Sequence, residues 1–157
     1  MAKTVNDICE ELLDSWVNIS SVIKNERLVE KLTYNEMCVL AILEKDNTLR
    51  KAGKAPAEKP SAKDVANKTG MIKSQINRVI NELLDKQYIS VKQSKDDKRR
   101  SELSITKKGS TAYNKEHANV MVLVKSLYSN LGNKKATELT KSLNEAADAF
   151  KKVTGEA

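Results

Sequence analysis

Between Pro60 and Gly109 the chain reads PSAKDVANKTGMIKSQINRVINELLDKQYISVKQSKDDKRRSELSITKKG, and the order of its periodicities leaves few folds open. Ser61 stands as a helix N-cap with Asp64 at the third helical position, and Val65 and Ala66 face inward from a short helix. Thr69-Gly70 breaks that helix. A second helix follows, with Ile76, Val79, Ile80, Leu83 and Leu84 at the spacing of one buried face, and it ends near Gln87. Two amphipathic helices joined by a tight glycine-containing turn make a helix-turn-helix.

The period then changes from 3.6 to 2. YISVKQ places Ile89 and Val91 on one face of a strand, and ELSIT answers with Leu103 and Ile105. No Asn-Gly or Asp-Gly pair lies between them, so the hairpin has a longer loop, loaded with charge from Lys95 to Arg100. A helix-turn-helix followed by a hairpin is the order of a winged helix. The fold class expected is therefore mainly α (α+β), with a winged helix-turn-helix core at residues 33–106.

The flanks are helical and longer than such a core requires. Val5, Ile8, Cys9, Leu12, Leu13, Trp16, Ser20 and Ile23 form one stripe, with Thr4 and Asp7 placed as N-cap and third residue. LTYNEMCVLAILEK starts a second helix: Thr33 and Glu36 suit a capping box, Leu32 can staple onto Met37, and Met37, Leu40, Ala41 and Leu43 supply the apolar face. Asp46 to Pro60 holds two prolines, a glycine and no sustained period, and reads as a loop. Two helices close the chain. One buries Val120, Met121, Val124, Leu127, Tyr128 and Leu131; the other, capped by Asn133, carries Ala136, Leu139, Leu143, Ala146, Ala147 and Phe150. The economical use of so much apolar stripe is dimerisation, by residues 1–32 and 107–157, with Ile8, Leu12, Trp16, Leu127, Leu131, Leu139, Leu143 and Phe150 at the interface.

Charge narrows the class of partner. The formal net charge is +7, yet residues 1–32 balance at −2 and residues 61–109 at +6. A basic surface confined to the helix-turn-helix and hairpin points to nucleic acid. On the second helix of the pair, Ser74, Asn77, Arg78 and Asn81 fall opposite the buried stripe, with Lys73 and Gln75 beside them. Arginine can fork onto guanine, and asparagine or glutamine can pair with adenine, so this face suits the major groove of double-stranded DNA. Lys95, Lys98, Arg99 and Arg100 at the hairpin tip suit phosphates or a narrow minor groove. Asp97 opposes phosphate by charge but can pair with a neighbouring arginine and fix its direction. Ser61 and Lys63, at the start of the preceding helix, are candidates for DNA-backbone contacts.

Other functions find less support. No glycine-rich phosphate loop, carboxylate pair or Ser/His/Asp set is visible, so an enzyme is not expected. Two cysteines without ligand spacing and one histidine suggest neither a disulfide framework nor a metal site, and no cofactor is called for. MAKTVNDICEE has no apolar run of a signal peptide and no segment suits a membrane span, so a cytoplasmic chain is expected.

The stretch quoted above resembles the winged-helix core of MarR-family (multiple antibiotic resistance regulator type) transcriptional regulators. The family's wing runs Asp-Arg-Arg and closes on Leu-Thr-x-x-Gly; here Asp97-Lys98-Arg99 is followed by Ile105-Thr106-Lys107-Lys108-Gly109 at the same spacing. The helices on both sides fit, so the resemblance covers nearly the whole chain. It implies a homodimer on a pseudo-palindromic operator, acting as a repressor relieved by a small molecule or by oxidation. Its ligand pocket would lie between dimer helices and the DNA-binding lobe, where Trp16, Tyr34, Met37, Tyr113 and His117 are candidates by position. The alternatives are a thiol-based redox sensor using Cys9 or Cys38, although Cys9 on the buried face of its helix would be inert, and a winged helix used for protein contacts. The chain departs from the pattern at Ile72, where a small polar N-cap is usual, at Lys98 in place of arginine, and at Gln87 in place of glycine. Its Asp46–Pro60 loop also looks about ten residues longer than is usual for the family.

Overall fold

A computed structural model describes residues 2–25 and 31–154; the side chains of residues 23–25, Ile23 among them, lie outside what is described. The elements run α1 (Val5–Asn25), α2 (Tyr34–Lys51), α3 (Ala62–Thr69), α4 (Lys73–Asp85), β1 (Ile89–Gln93), β2 (Ser101–Ile105) and α5 (Lys107–Thr154). The chain divides into two compact units, Met1–His117 and Ala118–Ala157. The first is a mainly α unit carrying one two-stranded antiparallel sheet, a winged helix-turn-helix.

Capping explains where the helices start. Thr4 and Asp7 exchange hydrogen bonds at the head of α1. Thr33 and Glu36 do so before α2, and Ser61 and Asp64 before α3. Gly70 ends α3 with φ of 71°, the left-handed conformation that lets the chain reverse into α4. The core is one cluster within the winged unit: Leu32, Val39, Leu40 and Leu43 from the α2 region, Val65 from α3, Ile76, Val79, Ile80 and Leu83 from α4, and Ile89 and Leu103 from the wing. The hairpin pairs Ile89 with Ile105 and Val91 with Leu103. A short third segment joins it, since the Leu103 N–H donates to the Pro60 carbonyl at 2.7 Å and Ser61 bridges Glu102.

Three expectations change. Residues Asp46–Lys51 are not loop but the last turns of α2. Arg50 pairs with Asp46 one turn back at 2.7 Å, and the helix closes in a Schellman motif. There Gly53 (φ 68°) donates to the Arg50 carbonyl and Lys54 to that of Leu49. The inward face of α2 is Glu36, Val39, Leu40 and Leu43, with Met37 and Ala41 only half-buried. The stripe begins at a glutamate, which an apolar pattern passes over. Cys9 is exposed in the single chain, as is every described side chain of α1 up to Val22, including Ile8, Leu12 and Trp16.

In the second unit the helical run breaks at Gly132, whose φ of 75° and ψ of 165° separate two helices within α5. Leu127, Leu139, Leu143 and Phe150 are exposed there and Leu131 is partly so.

Candidate nucleic-acid interface

The candidate recognition face rests on the burial of its opposite side. Ile76, Val79, Ile80 and Leu83 anchor α4 in the core. Lys73, Ser74, Gln75, Asn77, Arg78 and Asn81 are then all exposed. The first turn of α4 holds no acidic residue. Among the described residues the Arg78 guanidinium is paired loosely, with Glu82 at 3.7 Å. Ile72 takes an N-cap backbone conformation but offers no side-chain bond. Instead its N–H donates to the Gln75 side-chain carbonyl at 3.2 Å, so Gln75 serves as the helix's substitute cap. The Ile72 side chain is 64% exposed on an otherwise polar surface.

The wing turn is built by its backbone. Ser94 N–H donates to the Arg100 carbonyl at 2.8 Å, and Arg100 N–H to the Asp97 carbonyl at 2.9 Å. The Asp97 carboxylate accepts from the Arg99 N–H at 2.9 Å, and the Gln93 amide donates to the Lys98 carbonyl at 3.0 Å. Asp97 therefore shapes the turn through an Asx-type bond to the main chain, where an ion pair with an arginine side chain was expected. Lys95, Lys98 and Arg99 are exposed on this frame.

Two expected DNA contacts are occupied elsewhere. Arg100 turns away from the tip: one of its terminal nitrogens lies 2.7 Å from Asp64, 2.9 Å from the Lys59 carbonyl and 3.5 Å from Glu58. Ser61 is buried, its hydroxyl committed to the α3 cap, while Lys63 is exposed. The pairings of Arg100 with Asp64, read above only as a capping residue, and with Glu58 escape sequence reasoning, since they join positions more than thirty residues apart in the chain. Only the charge sign of Glu58 and Asp64 hinted at them.

The glycine of the Leu-Thr-x-x-Gly-like ending has a steric reason. A Cβ on Gly109 would lie 2.0 Å from the Tyr88 carbonyl oxygen. Thr106 completes the junction: its N–H donates to that same oxygen at 2.9 Å, and its hydroxyl donates to the Gln87 carbonyl and accepts from the Gly109 N–H. Gln87 takes φ of 60°, in the left-handed region that favours glycine.

The ligand candidates are not gathered into one pocket. Tyr34 and His117 are exposed, Met37 and Tyr113 pack on the edge of the core, and Trp16 is half exposed on α1. Tyr113 and His117 are neighbours, with ring centroids 5.6 Å apart. Tyr113 also borders a cleft of about 310 Å³ with Ala41, Glu44 and Leu49, and burial followed by the Glu44 charge raises its pKa. Burial likewise pushes the Cys38 thiol up, despite a hydrogen bond with Tyr34, which disfavours a reactive thiolate. Among the described residues no cluster of three His, Cys, Asp or Glu side chains could hold a metal ion, and no helix is long and apolar enough to cross a membrane.

Solved structures match this chain over nearly its full length. The transcriptional regulator BldR from Sulfolobus solfataricus is 22% identical, with 94% of this chain and 99% of that one covered and a TM-score of 0.72. A probable transcriptional regulator from Pseudomonas aeruginosa is 15% identical, with 91% and 99% covered and a TM-score of 0.68. BpsR of Bordetella bronchiseptica, whose DNA binding is regulated by 6-hydroxynicotinic acid, is 18% identical, with 88% and 98% covered and a TM-score of 0.64. No protein-family model and no curated protein matches the sequence. The structural likeness establishes the fold: this chain has the winged helix-turn-helix architecture of these regulators.

Proposed function

We propose that this chain is a sequence-specific, DNA-binding regulator of transcription of the MarR type, acting as a homodimer in the cytoplasm and without enzymatic activity. The observation that carries the reading is the exposed polar face of α4, free of carboxylates in its first turn, beside a wing that presents Lys95, Lys98 and Arg99. Arg78 and Asn77 would read base edges, with Lys63 and the wing on the backbone. The exposed apolar rows of α1 and α5, around Leu12, Trp16, Leu127 and Leu143, support a second copy as partner. Two-fold symmetry would then set the recognition helices one duplex turn apart, ~34 Å. Its DNA binding would be controlled by a small molecule, most simply as repression relieved by that ligand; the control is supported by BpsR and by PcaV of Streptomyces coelicolor, whose structure holds its natural ligand.

Selection from random duplexes tests this directly. The enriched sites should be inverted repeats with half-sites about one helical turn apart. Arg78→Ala should weaken binding to them by roughly 1–3 kcal/mol and relax one or two base positions per half-site. Enrichment of no sequence, or binding abolished equally by heparin and by scrambled duplex, would overturn the reading.

A further inference from the structure

We infer that Arg100 is a positioning residue, a clamp that fastens the root of the wing to the N-terminus of α3 and so sets where the wing lies relative to the recognition helix. The inference rests on the DNA-binding reading above and goes beyond it by removing one cation from the contact set and giving it a different task.

The connection is dense for so short a stretch. Arg100 Nη2 donates to Asp64 Oδ2 at 2.7 Å and to the Lys59 carbonyl at 2.9 Å. That same carboxylate oxygen accepts from the Ser61 N–H at 2.8 Å and from the Ser61 hydroxyl at 2.9 Å. Two residues further along β2, Leu103 N–H meets the Pro60 carbonyl, and Glu102 is bridged to Ser61. Residues 59–64 and 100–103 are thereby stitched at several points. Because α3 packs directly on α4, the stitch carries the wing's orientation to the helix that would read bases.

The cation itself is held where DNA contact is difficult. The Arg100 side chain is one quarter exposed, whereas its neighbours Lys95, Lys98 and Arg99 are exposed. Its Nε is buried with no hydrogen-bond partner among the described residues.

The two roles differ in the sign of one substitution. If Arg100 serves DNA by swinging out to a phosphate, Asp64→Asn releases it and removes a negative charge, and binding tightens. If Arg100 is a clamp, Asp64→Asn weakens binding although it adds net positive charge, because asparagine keeps the cap acceptor and loses the ion pair. In the full-length protein, Arg100→Gln and Asp64→Asn are each expected to weaken binding to a selected duplex about tenfold. The double variant should be no worse than either single one, as for two ends of one interaction. Arg100→Lys, which keeps the charge without the fork, should fall between and guards against a glutamine variant that folds poorly. Hydrogen exchange without DNA supplies an independent readout: the Ser94, Arg100 and Leu103 amides should exchange faster in both single variants. Tighter binding by Asp64→Asn, additive effects, or unchanged exchange at those amides would overturn the clamp. Failure of every protein, wild type included, to bind any duplex would instead refute the DNA-binding reading and leave the exchange result to judge the clamp.

Discussion

Gly109→Ala should be among the most damaging single-methyl additions available to this fold. The new Cβ would sit 2.0 Å from the Tyr88 oxygen, 2.8 Å from its carbonyl carbon and 2.9 Å from its Cα, all main-chain atoms that cannot rotate aside. Reaching ordinary contact requires Tyr88 and the first turn of α5 to part by more than 1 Å, since contacts under about 3 Å are not tolerated. That movement stretches the Thr106 N–H bond to Tyr88 (2.9 Å) and the Thr106 hydroxyl bond to Gln87 (2.7 Å). Overpacking of this kind costs roughly 1–3 kcal/mol, and each lost hydrogen bond about 1 kcal/mol. The better helix propensity of alanine returns up to about 1 kcal/mol. The net expectation is destabilisation of about 3 kcal/mol, or a drop of roughly 6–12 °C in Tm for a chain of this size. Urea and thermal unfolding followed by circular dichroism measure it. Gly70→Ala is the control, since its Cβ would meet nothing within 4 Å and only its φ of 71° opposes substitution, costing about 1 kcal/mol. A Gly109→Ala loss under 0.5 kcal/mol, or one no larger than that of Gly70→Ala, would refute the close-approach argument.

Four further outcomes follow from particular contacts. Gln87→Gly should stabilise the protein by roughly 0.5–1 kcal/mol in urea unfolding, because glutamine holds φ of 60° there. Ile72→Ser should add about 1 kcal/mol by supplying the missing α4 cap, seen as a higher urea midpoint. Lys86→Met should cost roughly 2 kcal/mol, since it strands the buried Glu36 carboxylate 2.6 Å from the lost ammonium. Adding Glu36→Gln to that variant should recover part of the loss. Finally, the Ser61 backbone N–H, then its hydroxyl and Arg100, hold the Asp64 carboxyl below its ordinary pKa despite some desolvation. A depressed folded-state pKa stabilises above the unfolded value, so this contribution should be complete from pH 7 down to about 5 and fade below about 4. Asp64→Asn should remove that part of the acid dependence of the urea midpoint.

Much of the architecture was legible because its determinants are local. The boxes at Thr33–Glu36 and Ser61–Asp64, the left-handed Gly70, and the change of period at Tyr88 each lie within a few residues of the structure they dictate. What escaped depends on distant partners or on polar groups acting as core. Asp46–Lys51 has no apolar period, and its helix is held by the Arg50–Asp46 pair and the turn at Gly53. Glu36 opens the buried face of α2 because Lys86, fifty residues on, meets it. Arg100 reads as one more wing cation until Asp64 is brought to it. For the recognition face the signal was again local: the α4 polar side chains are exposed because the stripe opposite them is buried.

The short segment beside β2 also bears on how the protein behaves in a crowded solution. A two-stranded ribbon has two open edges, and each is a template on which another molecule's strand can grow into an aggregate. On the β2 side that template is already occupied by Pro60–Ser61, and the occupant cannot propagate the pairing. Proline has no N–H to offer, and Ser61 turns at once into α3. An exposed hairpin is thus blocked along one side from self-association by a strand two residues long.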